Sequence, residues 1–95
     1  MDLVYSTPQR IDSSNAAELQ DSLLGILNDN KPGKDDRVVI DMSETTYISS
    51  AGLRIILMAY KKMKAAGTKF TLTHVCAGVL DVFDVTGMSG FLPME

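Results

Sequence analysis

The chain has 95 residues, of which 45% are apolar and 22% charged, with a net charge of −3, one cysteine and one histidine. That length supports one domain with a modest core, and the balanced composition argues against a disordered chain or a coiled coil. A negative balance gives no field for a phosphate backbone, so nucleic acid is not an expected partner, and lone Cys76 and His74 leave no internal disulfide and no cluster of zinc ligands.

Taken in chain order, Leu3 to Thr7 carries β-formers until Pro8 and predicts a short strand at or near a sheet edge. Asp12-Ser-Ser-Asn15 supplies capping residues, with Asn15 three places before Glu18, so a helix is expected to start near Asn15. Ala16, Leu19, Leu23, Ile26 and Leu27 recur at helical spacing until Asn30-Lys-Pro-Gly33 ends the pattern. Arg37-Val-Val-Ile-Asp-Met42 reads as a central strand buried on both faces.

A second helix is predicted from Ser50 to Ala66, stopped by Gly67, with Leu53, Ile56, Ala59, Tyr60 and Met63 inward and Arg54, Met58, Lys61 and Ala65 outward. Lys69 to Val75 returns as a strand. A third helix follows from about Ala77 to Thr86, with Val79, Val82 and Phe83 as its stripe, and Phe91-Leu92 forms a last short strand before Pro93. Strands alternating with helices of this length imply parallel pairing through right-handed crossovers, hence an α/β sandwich with a mostly parallel sheet of about four strands and three or more helices. The longest apolar run, Ile55 to Ala59, is far below the roughly 20 residues of a bilayer span. The N-terminus lacks a secretory pattern, so a cytoplasmic location is expected.

The segment from Asp41 to Arg54 passes from a β-branched strand through a polar loop into a helix that opens on Ser49 and Ser50. Such serines serve either as plain caps or as phosphoacceptors, because a helix start offers unpaired N–H groups and about half a positive charge to an oxyanion. Ala51 and Gly52 favour the second use by allowing close approach to the backbone. Met58 and Ile55, framed by Arg54 and Lys61, fit either a protein-binding patch or partial burial under neighbouring loops. The run Lys61-Lys-Met-Lys64 either meets an acidic partner or complements the helix dipole. Catalysis is not expected: no acid stands at a recognisable spacing from His74, Ser-Ser-Ala-Gly is not a nucleophile elbow, and no phosphate-cradling glycine loop or cofactor motif is present.

Tyr47-Ile-Ser-Ser-Ala-Gly-Leu-Arg54 after Val38-Val-Ile-Asp-Met42 resembles the central signature of STAS domains, in particular the bacterial anti-sigma factor antagonists. Arg10-Ile-Asp-Ser-Ser-Asn-Ala16 is similar to the family's first loop, and Phe83-Asp-Val-Thr-Gly-Met88 to the end of its third helix. The resemblance implies phosphorylation of Ser50 by a partner kinase. Ser49 stands where the family often has an aspartate and is the alternative acceptor. It places Asp12 either near the phosphoacceptor, helping to orient it, or as a cap of the first helix. It implies a docking surface of Asp12, Ser13, Ser49, Ser50, Ala51, Gly52, Arg54, Ile55 and Met58.

The implied partners are an anti-sigma factor that is also a serine kinase, held by the unmodified form and released by the modified one, and a phosphatase that resets the cycle. The alternative reading is a STAS subunit of a lipid-transport or other signalling assembly. The strand region before Asp12 and the end at Glu95 are shorter than the family's pattern, so a bare sheet edge is expected to support a homodimer or an exchanged terminal segment.

Overall fold

The computed structural model describes residues 1–95. Strand β1 (Asp2–Ser6) leads through two-residue β2 (Arg10–Ile11) into helix α1 (Ala16–Asn30). Then follow β3 (Arg37–Asp41), two-residue β4 (Tyr47–Ile48), α2 (Ser50–Ala66), β5 (Lys69–Thr73), α3 (Ala77–Val85) and a single 3-10 turn at Met88–Gly90. The main sheet is parallel in the order β1-β3-β5, and β2 and β4 form a separate parallel pair.

β3 is central because its apolar run can be buried from both sides: Val38, Val39 and Ile40 are all buried. Val38 and Ile40 join Leu19, Leu23 and Leu27 of α1 and Leu53, Ile56, Ala59 and Met63 of α2 in one core. Full burial of each large apolar side chain is worth about 1.5–3 kcal/mol, so this seam dominates the stability of a small chain. Asp36 anchors the start of β3 by accepting the Gly33 N–H at 2.8 Å and the Met1 amine at 2.9 Å. These bonds hold its carboxyl below the usual carboxylate range, the Gly33 bond first.

The ends of the elements depart from expectation for local reasons. Lys31, not a glycine, closes α1 in the left-handed conformation (φ 45°), its N–H bonded to the Leu27 carbonyl. β5 stops at Thr73 because His74 turns left-handed (φ 57°) and breaks the extended run before Val75. Phe91-Leu92 is not a strand. Leu92 is drawn into the core, and Pro93, which has no N–H to give a ladder, leaves only a one-residue parallel bridge between Leu72 and Met94. The sheet therefore has three strands, with Met94 touching the outer side of β5.

α2 packs against β4 and β5 and also against α1, so more of it is covered than one stripe. Ile55, expected on or beside the exposed side, is 3% exposed for that reason. Tyr60, expected inside, is half-buried with its ring 5.9 Å from Phe70 and 5.7 Å from Phe91.

Candidate functional site

The small β2–β4 pair brings the loop before α1 beside the start of α2. Ile11 is in register with Ile48, and the Ile11 carbonyl accepts the Ser49 N–H at 2.8 Å. Arg10 lies over the Tyr47 ring at 4.3 Å, a cation–π contact that braces the outer face of the pair. Neither Arg10 nor Tyr47 was among the expected site residues; two-residue strands give no periodicity from which their pairing could be read.

Ser49 and Ser50 have different surroundings. Ser49 is the extended N-cap residue (φ −94°, ψ 175°), half-buried, with its Oγ accepting the Gly52 N–H at a long 3.5 Å and its carbonyl accepting the Leu53 N–H at 2.9 Å. Ser50 is the first helical residue and is exposed. No hydrogen bond within the chain occupies its hydroxyl, and the Ser50 and Ala51 amides lie in the first turn without intrahelical partners. One serine thus holds the helix end while the other faces outward from it.

Gly52 does not serve close approach by a partner. It is buried, and a Cβ there would lie 2.6 Å from Ile11 Cγ2 and 2.7 Å from Ile48 Cγ1, so the glycine lets α2 seat directly on the β2–β4 pair. Gly52→Ala is expected to destabilise the fold by about 1–3 kcal/mol through overpacking. Denaturant melts should show the loss, and an unchanged midpoint would mean that the isoleucines move aside freely.

Asp12 sits in a turn of its own making. Its Oδ1 accepts both the N–H (2.9 Å) and the hydroxyl (2.5 Å) of Ser14, and Arg10 Nε approaches Oδ2 at 3.4 Å. The Ser14 hydroxyl, then the Ser14 N–H, hold this carboxyl below the usual carboxylate range, with Arg10 adding to them. Asn15 caps no N–H of α1. Its side chain turns back to accept the Asp12 N–H at 2.9 Å and to donate to the Arg10 carbonyl at 2.7 Å, because two loop groups compete successfully for one amide. The expected Asn15–Glu18 capping box does not form. Asp12 makes no hydrogen bond to either Ser49 or Ser50; it shapes the neighbouring loop.

Small residues open a groove of about 500 Å³ between the two helices, lined by Ser13, Ala16, Ala17 and Gln20 on one side and Ala51, Arg54, Ile55 and Met58 on the other. The structure thus brings together Ser13, Ala51, Arg54, Ile55 and Met58 of the expected surface, with Ile55 as a buried wall and Arg54 exposed. Ala16, Ala17 and Gln20 were missed because α1 was read only for its inward stripe. Behind the site, the Thr45 hydroxyl, 1% exposed as a residue, meets the Thr7 hydroxyl at 2.5 Å and the Pro8 carbonyl at 2.7 Å, while Cys76 Sγ approaches the Thr45 carbonyl at 3.4 Å. No three His, Cys, Asp or Glu side chains converge as metal ligands, and no helix is long and apolar enough to cross a membrane.

A parallel three-stranded sheet with helices α1 and α2 packed together, a second small strand pair and a serine-opened helix define the STAS class of α/β sandwich. A solved anti-sigma factor antagonist (STAS) domain protein from Planctomyces limnophilus superposes with a TM-score of 0.84 at 20% identity, over 96% of this chain and 79% of that one. A candidate anti-sigma factor antagonist from Thermotoga maritima gives 0.81 at 19%, over 96% and 77%. A sulfate transporter family protein from Wolinella succinogenes gives 0.76 at 17%, over 96% and 70%. At these identities the likeness concerns the fold.

The chain belongs to the STAS domain family, whose model matches residues 2–95. A relative from Bordetella bronchiseptica, BtrV, described as a candidate anti-sigma factor antagonist, is 30% identical over 84 residues, which make up 88% of this chain and 69% of BtrV.

Proposed function

We propose that this domain is a cytoplasmic anti-sigma factor antagonist working as a phosphorylation-controlled partner switch. Unmodified, it docks an anti-sigma factor that is also a serine kinase, through the first turn of α2, the Asp12–Ser13 loop and the groove reaching Arg54, Ile55 and Met58. Phosphorylation of Ser50 by that partner ends the docking, and a phosphatase restores it. The observation that carries this reading is the difference between the two serines: Ser50 presents an exposed, unengaged hydroxyl at the mouth of a 17-residue helix, whereas Ser49 is committed to capping.

The host domain accommodates the modification. A phosphate on Ser50 carries about −1.5 to −2 charges and three acceptor oxygens, and it would sit at the positive end of α2, with Arg54 one turn along the same helix. The docked protein has no such compensation, so the added charge acts on the complex rather than on the fold.

Incubation with ATP and candidate switch kinases, followed by mass spectrometry of the peptide spanning both serines, tests the reading. Phosphate is expected on Ser50, retained in Ser49→Ala and lost in Ser50→Ala. Phosphate confined to Ser49 would move the switch one residue, and a stable complex in which neither serine is modified would remove it.

A further inference from the structure

Helices α1 and α2 run in the same direction, because each returns the chain between neighbouring strands of one parallel sheet, and they pack against each other. The groove lined by Arg54, Ile55 and Met58 opens at their first turns. A second cleft, of about 650 Å³, opens at their last turns over buried Leu27, Pro32 and Met63, with exposed Lys31 on one side and exposed Lys62 on the other. Along α1, Ala17, Gln20, Leu24, Asn28 and Lys31 advance by three or four residues, as do Ala51, Ile55, Met58, Lys62 and Ala66 along α2, so both clefts lie on the same side of the helix pair. At 1.5 Å per residue their centres are roughly 15–20 Å apart, and they form the two ends of one seam. Eight residues line each end; among them stand three cations, Arg54, Lys31 and Lys62, and no acid, although acids outnumber bases in the chain as a whole. No carboxylate of the chain comes within ion-pair distance of any of the three, whereas Arg10 and Arg37 are both paired. Of the run Lys61-Lys-Met-Lys64, Lys62 enters the lining while Lys64 Nζ lies 5.8 Å from the centre of the Tyr60 ring. Lys31 keeps its place in the left-handed conformation (φ 45°), where glycine would sit without strain. Glu18 and Glu44 line a different cleft, with Tyr5 and Thr7.

We propose that this seam docks an acidic amphipathic helix of a partner protein, laid along α1 and α2 with one apolar side chain in each cleft and its carboxylates against Arg54, Lys31 and Lys62. A helix suits the spacing: residues eleven apart complete about three turns and stand about 16 Å apart on one face, as far apart as the clefts. Small side chains at both ends, Ala17 and Ala51 at one and Ala65 and Ala66 at the other, leave room for a third helix to come close. The charge selects the occupant, because a basic helix would meet three unpaired cations with no acid to offset them. The inference rests on the proposed function only in taking the Arg54 end as a docking surface. The far cleft lies outside that reading and Ser50 lines neither end, so the two can fail separately.

The probe is a fluorescein-labelled synthetic helix of about 16 residues with two leucines eleven apart, flanked by glutamates, and its twin carries lysine at every glutamate position. Fluorescence polarisation should give a Kd on the order of 10–100 µM for the acidic peptide and at least about tenfold weaker binding for the twin. Replacing either leucine of the acidic peptide by alanine should weaken it about tenfold or more. Lys31→Gly combined with Lys62→Gln should weaken it about fivefold or more, with the thermal melt intact because glycine suits the left-handed position better than lysine. No binding of the acidic peptide at about 1 mM overturns the proposal. So do equal binding of the two peptides, indifference to the double substitution, or sedimentation showing that a second copy of the domain fills the seam and excludes the acidic peptide. Peptide binding by a domain whose serines no switch kinase modifies would keep this inference and remove the switch; phosphorylation of Ser50 without peptide binding would do the reverse.

Discussion

Ser50→Glu should weaken docking of the anti-sigma partner by about 100-fold or more while leaving the fold at least as stable as before. A groove fitted to a neutral hydroxyl would face a charge with no counter-ion. One like-charge contact at about 4 Å, at an effective dielectric near 20, costs up to about 4 kcal/mol, against the roughly 2.8 kcal/mol that a hundredfold loss requires. Within the chain the same carboxylate lies in the first turn of α2, where an anion gains about 0.3–1 kcal/mol from the helix dipole. Calorimetric titration and thermal melting on the same samples should therefore move in opposite directions. Ser50→Ala should keep the partner, since only the hydroxyl is lost. A complex indifferent to Ser50→Glu would show that docking lies elsewhere on the domain.

Phe83→Ala should cost about 3–5 kcal/mol, the range for removing a large aromatic from a fully enclosed position. Phe83 heads the fully buried side chains, with no exposed surface. Against a total stability of about 5–15 kcal/mol, that loss leaves a fold near the edge of cooperative folding. The midpoint of thermal unfolding should drop by roughly 4–8 °C per kcal/mol. The effect should reach the site as well, because α3 packs on β4, and β4 delivers Ile48 to the face of Gly52. Phe83→Leu, which keeps most of the volume, should restore much of the midpoint. A full-strength melt in Phe83→Ala would mean that the core can collapse onto the vacancy.

Much of the frame was legible because each major element carries its own punctuation. Ser49 as cap and Gly67 in the left-handed conformation (φ 72°) bracket α2 as read from the chain, and the unbroken run Val38-Val-Ile40 could only be a strand covered on both faces. Legibility failed where a residue's role depends on distant chain. Ile55 read either as part of a binding patch or as partly buried under neighbouring loops, and it is instead a core residue of α2 where that helix packs on α1. Gly52 looked like an opening for a visitor, and its missing side chain is instead required by Ile11, far away in sequence. Asn15 carried a capping pattern, but the loop from Arg10 to Asp12 claimed its amide first. The resemblance put the acceptor at Ser50 with Ser49 as the alternative, and what the chain alone did not show is that Ser49 caps the helix while Ser50 is exposed.

The buried Thr45 hydroxyl ties the turn at Thr7–Pro8 to the loop ahead of the serine helix, and the Cys76 thiol fastens the loop before α3 to the Thr45 carbonyl. Loops knotted together from beneath have little freedom left to surrender when another protein lands on them. The entropic toll of association is thus lowered in advance, and a modest footprint can yield useful affinity. In the proposed switch, a single chemical mark would then need no relay through the scaffold: a change at the rim would be felt directly by a protein seated there.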